Sequence, residues 1–119
     1  MNEYILVLLI LLQIKHWYID FVNQTDEEVA HKGQYFVWKG MKHSFKHGLA
    51  TAIIFFFVLE LEGALLLGLI DFILHYHIDY CKMHYGNRDV KTKAFWTQLG
   101  LDQMGHQLTY IGLVSLLII

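Results

Sequence analysis

The sequence predicts an all-α fold: one integral membrane bundle of four antiparallel transmembrane helices spanning residues 1–119. Three observations lead there. The chain is 55% hydrophobic and has no proline, whereas a soluble domain carries more charge and some proline in its turns. Its apolar residues fall into four blocks. Histidines and aspartates recur at one end of each block, four residues apart.

The first block covers residues 4–14 and continues as a helix through 22. A cleaved signal peptide is excluded by Glu3, by the lack of a basic leader and by the absence of a small-residue cleavage site. The second block covers 47–59 and is entered from about residue 42. The third covers 63–78 and the fourth 99–119. A spanning helix needs ~20 mostly apolar residues, and each block reaches that length once its His/Asp end is counted. Glu60-Leu61-Glu62-Gly63 reads as a tight acidic turn between the second and third helices. Residues 23–41 form a polar connection, and part of 26–38 reads as an interfacial helix, with Phe36, Val37 and Trp38 at headgroup level. Residues 82–96 form the other polar connection, with Gly86-Asn87 as a turn. Phe55-Phe56-Phe57 reads as lipid contact and Cys81 as a small packing residue.

A formal charge of −2 supplies no global basic field, so nucleic acid is excluded as a partner. The single cysteine excludes an internal disulfide. The positive charges set orientation. All nine Lys and Arg (Lys15, Lys32, Lys39, Lys42, Lys46, Lys82, Arg88, Lys91 and Lys93) fall at one face of an up-down bundle. The positive-inside rule then puts both long loops in the cytoplasm and both termini outside.

Four pairs share the spacing i, i+4: His16/Asp20, His43/His47, His75/Asp79 and Asp102/His106. That spacing puts both members on one helical face. Their positions at the end of helix one, the start of two, the end of three and the start of four bring them to one level. Imidazole with carboxylate is a ligand set for zinc, iron or manganese, and helix bundles build metal sites from inward side chains of facing helices. Eight such groups exceed one tetrahedral ion, so one or two divalent ions are expected, zinc first, with a carboxylate bridging a pair. A polar network without metal is the competing reading. Asp71 precedes His75 by one turn. His77 points away from the His75/Asp79 face, and His31 and His84 read as solvated loop residues.

The segments HWYIDFVNQT, HSFKHG, HYHIDYCK and DQMGH resemble those of the domain of unknown function 3307 family, small integral membrane proteins of bacteria and their phages. The resemblance covers nearly the whole chain. It implies functional positions at His16, Asp20, Gln24, His43, His47, His75, Asp79, Lys82, Asp102, Gln103 and His106; Asp71 and His77 lie outside the pattern. It also implies a bacterial inner-membrane location and a distant likeness to metal-dependent hydrolases of that membrane.

The expected activity is hydrolysis of a lipid-like substrate or phosphoester at the cytoplasmic headgroup level. A metal lowers the pKa of a bound water to ~7. Asp20, Asp79 and Asp102 are candidates for general base. Lys82, with Lys32 and Lys46, is a candidate for holding an anionic head group. Gln24 and Gln103 orient ligands or substrate. The expected water access lies between the two polar connections. Membrane lipid is the expected partner, with a homo-oligomer open. A metal or proton transporter is disfavoured because the outer helix halves are almost purely apolar. A structural metal site in a protein that binds or inhibits a host protein is the alternative.

Overall fold

The computed structural model describes residues 2–119, and every regular element among them is helical. Helix α1 (Asn2–Trp17) runs on into a π-helical turn, Tyr18–Asn23. A short α2 (Asp26–His31) follows, then α3 (Trp38–Phe55), α4 (Leu61–Tyr85) and α5 (Lys93–Ser115). Two of these, Glu3–Asn23 and Leu61–Tyr85, are long and apolar enough to cross a membrane. α3 and α5 fall short of that measure because each opens on a polar half, with Lys39, Lys42, His43, Lys46 and His47 in one and Asp102, Gln103 and His106 in the other.

Several boundaries differ from expectation, each for a local reason. The turn between α3 and α4 comes earlier than the acidic tetrapeptide. Phe56 follows the end of α3, Glu60 is the N-cap of α4, and Leu61-Glu62-Gly63 form its first turn. Glu62 there faces the positive end of the helix dipole. α4 extends seven residues past Ile78 to Tyr85, and His84 therefore lies on a helix, its ring stacked on Tyr80 at 5.0 Å. α5 starts at Lys93 because the Thr92 hydroxyl accepts the Phe95 N–H. The expected helix within 26–38 is α2, which ends at His31, so Phe36 and Val37 lie on the connection and Trp38 opens α3. The start of α2 is a capping box, with the Thr25 hydroxyl accepting from Glu28 N–H (3.1 Å) and the Glu28 carboxylate accepting from Thr25 N–H (2.8 Å).

The bundle has two layers along its length. At one end Leu8, Leu12, Ile54, Phe55, Ala64, Leu67, Tyr110, Leu113 and Val114 form an apolar core. Phe55 is thus buried, and of the three phenylalanines only Phe56 and Phe57 face outward. The other end holds the polar residues. α3 and α4 cross at bare backbone: a Cβ on Gly48 would sit 2.7 Å from the Gly68 carbonyl, and one on Gly68 would sit 2.6 Å from the Gly48 carbonyl. Only glycine permits that approach, and it brings His43 and His47 against His75. Phe36 holds φ at 60° on the α2–α3 connection, where its N–H donates to the Tyr76 hydroxyl at 2.8 Å. Cys81 is exposed rather than packed.

Candidate metal centre

The four i, i+4 pairs meet in one buried cluster. The Asp20 carboxylate is its first hub. The Nε2–H groups of His43 and His47 both donate to Asp20 Oδ1 at 2.8 Å, and His16 Nε2 lies 3.2 Å from Oδ2. The π-helical turn of α1 carries Asp20, so the widened turn delivers this carboxylate to the histidines of α3. Asp79 is the second hub. Its Oδ1 accepts from His106 Nε2 at 3.1 Å, and its Oδ2 lies 3.2 Å from both His75 Nε2 and the Lys32 ammonium.

His75 lies between the hubs and is wholly buried. Its ring stacks between those of His47 (3.7 Å) and His106 (3.9 Å), and neither ring nitrogen makes a hydrogen bond. Two compact sets of metal-competent atoms result: Asp20 with His43, His47 and His75, and His75 with Asp79 and His106. Within each, the atoms lie within 4.8 Å of one another. Tetrahedral zinc with bonds of ~2.0–2.2 Å places its ligand atoms ~3.3 Å apart. Separations of 2.8–3.2 Å at Asp20 and Asp79 need a few tenths of an ångström of expansion, while His75 Nε2, 3.9 Å from Asp20 Oδ1, must move inward to join the first set. The residues fit a divalent ion at either set.

His16 and Asp102 flank these sets, and their partners explain why. The Gln103 amide nitrogen donates to Asp102 Oδ2 (2.9 Å), so the amide oxygen faces His16 Nε2 at 2.7 Å. The Nε2–H of His16 is therefore a donor, and its Nδ1 accepts from the Tyr110 hydroxyl at 2.7 Å. Asp102 lies 3.2 Å from His106 Nε2 and 3.3 Å from the Lys82 ammonium. Gln24 donates to the Asp20 carbonyl at 3.0 Å and supports the backbone of that hub.

Charge separates the carboxylates further. Asp71, Asp79, Asp102 and Glu28 each have a lysine within 3.3 Å: Lys15, Lys32, Lys82 and Lys46 respectively. Asp20 has only imidazoles as ion-pair partners within 4.0 Å among the described residues, so its charge is balanced by a protonated imidazole or by a bound cation. Lys15 departs from expectation. It is 8% exposed inside the bundle and does not belong to a basic membrane face. Its ammonium donates to Asp71 Oδ2 and to His47 Nδ1, both at 2.9 Å, and Thr51 also donates to Asp71. Asp71 is thereby the anchor of Lys15 and stands apart from the metal sets. Lys32 is also buried, its ammonium 3.2 Å from Asp79, while Lys46 pairs with Glu28 at 2.8 Å. Glu28 lies outside the long helices. Burial pushes its carboxyl up, yet the bonds from Lys46 and Thr25 outweigh that and hold it below its usual range.

His77 points away as expected, its Nδ1–H donating to the Ile73 carbonyl while Nε2 accepts from Tyr35. His31 is part-buried on α2 and donates to the Glu27 carbonyl. A cavity of about 310 Å³ does lie between the two polar connections, lined in part by Gln24, Lys32, Lys82 and Arg88.

A family model described as "Protein of unknown function (DUF3307)" matches residues 7–119. The chain belongs to that family. The match includes every residue of both metal-competent sets, all eight members of the i, i+4 pairs, and the Lys15–Asp71 pair beneath them. No curated protein and no solved structure gives a significant match to this family member.

Proposed function

We propose that the protein is a membrane-embedded, metal-dependent hydrolase acting at the cytoplasmic headgroup level on a lipid-like substrate or phosphoester. One or two divalent ions, zinc before manganese or iron, are held at Asp20–His43–His47 and at His75–Asp79–His106. His75 is common to both sets, and with its nitrogen given to the second ion each ion would have two histidines and one carboxylate, the three-ligand arrangement that leaves a catalytic zinc an open position. The observation that carries this reading is His75, fully buried between two acidic hubs with neither ring nitrogen in a hydrogen bond. An ion bound there would supply Lewis acidity to a phosphoryl or acyl oxygen. Asp102, outside both sets and held by Gln103 and Lys82, accepts the proton of the attacking water. Asp20 and Asp79 serve as ligands first.

In this reading all four long helices cross the bilayer, with both termini outside, in a bacterial inner membrane. Large apolar side chains point outward along every one of them, among them Leu6, Ile10, Ile53, Leu65, Leu69, Leu108 and Ile111, more than a soluble monomer exposes in one belt. The three tryptophans, Trp17, Trp38 and Trp96, are exposed at the ends of α1, α3 and α5 that carry the cluster, as interfacial anchors would be. The longest dimension, 44 Å, matches a bilayer with its headgroups at ~40–45 Å.

A second reading, a structural metal in a protein that engages a host partner, is favoured by enclosure, since no side chain of the two sets is more than 8% exposed. Turnover separates the two. Metal-loaded protein is incubated with labelled membrane lipids and lipid-linked phosphates. Release of phosphate or fatty acid that stops in Asp102→Asn supports the hydrolase, and bound metal with no turnover of any substrate supports the structural site.

A further inference from the structure

Two cavities meet at Lys82. The first is a lateral groove of about 550 Å³ between α4 and α5, walled by Leu74, Ile78, Leu101 and Gly105, with Asp102, paired to Lys82, at its polar end. Leu74 and Leu101 are themselves outward-facing, so the groove opens on the apolar flank of the bundle. The second is the 310 Å³ cavity between the polar connections, whose charged lining is Lys32, Lys82 and Arg88, with no acidic residue among the lining side chains. Lys82 and Gln98 line both. Behind Lys82 the contacts run through Asp102 (3.3 Å) and His106 (3.2 Å) to Asp79 (3.1 Å), the second acidic hub.

We infer that the paired cavities bind one anionic phospholipid, with an acyl chain in the α4–α5 groove and its phosphate in the basic cavity, beside the cluster. This rests on the membrane reading above and names the substrate class for it. The groove volume falls in the ~300–1,000 Å³ range of small-molecule sites, and a basic pocket between membrane helices on the cytoplasmic side is suited to an anionic head group. Charge complementarity selects the anion. The Lys32 and Lys82 ammonium groups are each shared with one aspartate, and the Arg88 guanidinium has only the Met83 carbonyl as acceptor among the described residues. An acyl chain matches the groove because its walls continue the surface that the bilayer covers.

The test uses full-length protein in nanodiscs of equal phosphatidylglycerol and phosphatidylcholine, released for native mass spectrometry, with metal content measured on the same samples. The wild type retains one phosphatidylglycerol with a preference of about fivefold over phosphatidylcholine, the order that one part-exposed ion pair supplies. Gly105→Phe fills the groove, since a Cβ there meets only Ile78 at 3.4 Å or more, and it loses the lipid while keeping its metal. Gly100→Phe, where a Cβ meets nothing within 4 Å and which does not line the groove, keeps the lipid. Arg88→Gln reduces the anionic preference. Equal retention by Gly105→Phe, no phosphatidylglycerol preference in the wild type, or a lipid-free dimer overturns the inference. Absence of metal from every sample with lipid retention intact overturns the metal reading and leaves the lipid site standing.

Discussion

Replacing Lys15 by methionine removes one charge of a buried pair and keeps most of the side-chain volume. Lys15 and Asp71 side chains are 7% and 1% exposed, and their charged atoms lie 2.9 Å apart. Removing one partner of such a pair costs about 3–5 kcal/mol, because the remaining charge stays buried without its counter-ion. That is a large share of the ~5–15 kcal/mol a domain holds. Thr51 alone would remain on Asp71. The double variant Lys15→Met/Asp71→Leu removes both charges, and replacing a buried pair by apolar residues is close to neutral or stabilising. Thr51 can then turn its hydroxyl to the carbonyl one turn earlier in α3. The double variant still loses the donor to His47 Nδ1, at a cost of about 1–3 kcal/mol, so denaturant unfolding of detergent-solubilised protein should rank it below wild type by about that amount and above Lys15→Met, which bears the same loss and an unpaired Asp71 as well. If Lys15→Met alone is as stable as wild type, the pair is not the buried unit described here. If the two single losses simply add in the double variant, the two residues do not interact.

The glycine crossing predicts that Gly48→Val loosens the α3–α4 contact, since its Cβ would lie 2.7 Å from backbone and from Phe72; overpacking of this kind costs ~1–3 kcal/mol, read as a lower unfolding midpoint. Glu28 predicts an acid sensitivity. Its folded-state pKa is lowered, so its contribution is fully present above its unfolded value of ~4.3 and is lost as pH falls through the folded value. The acid limb of a stability–pH curve should flatten in Glu28→Gln, and an unchanged limb would remove Glu28 from the account. Reporter fusions at Ile119 should read as extracytoplasmic; a cytoplasmic readout contradicts the four-span orientation.

The convergence of the site was legible because i, i+4 spacing survives any detail of packing. His43, His47, His75, Asp79 and His106 needed only a helix and an alternating bundle to meet. The polar composition of residues 23–41 did not reveal the capping box of α2 or its buried Glu28, although the T-x-x-E spacing of Thr25–Glu28 is the signal for one. What was not legible depends on contacts between distant segments. Lys15 looks like a boundary residue until Asp71, 56 positions away, is placed against it. Tyr110 and Thr51 sit among apolar residues, and only the fold shows that they finish the hydrogen bonds of His16 and Asp71. The distinction between His16 and the histidines of the metal sets comes from which groups meet their other ring nitrogens, and no sequence pattern records that. Helix ends moved for similar reasons: α4 continues to Tyr85 although its last turns are polar, because Tyr76, Tyr80 and His84 pack their rings against one another and against Tyr35.

Elemental analysis of the purified protein tests the metal centre most directly. The protein is prepared without chelator in zinc-supplemented buffer, in parallel with Asp20→Asn, His75→Gln and His84→Ala. Asp20→Asn keeps the shape of the hub and removes its charge, His75→Gln removes the nitrogen shared by both sets, and His84 touches neither set. The account predicts one to two divalent ions in the wild type and in His84→Ala, the number allowed by the two sets of ligands. It predicts a marked loss in the other two variants. A metal-free wild type, or the same occupancy in all four proteins, would contradict it.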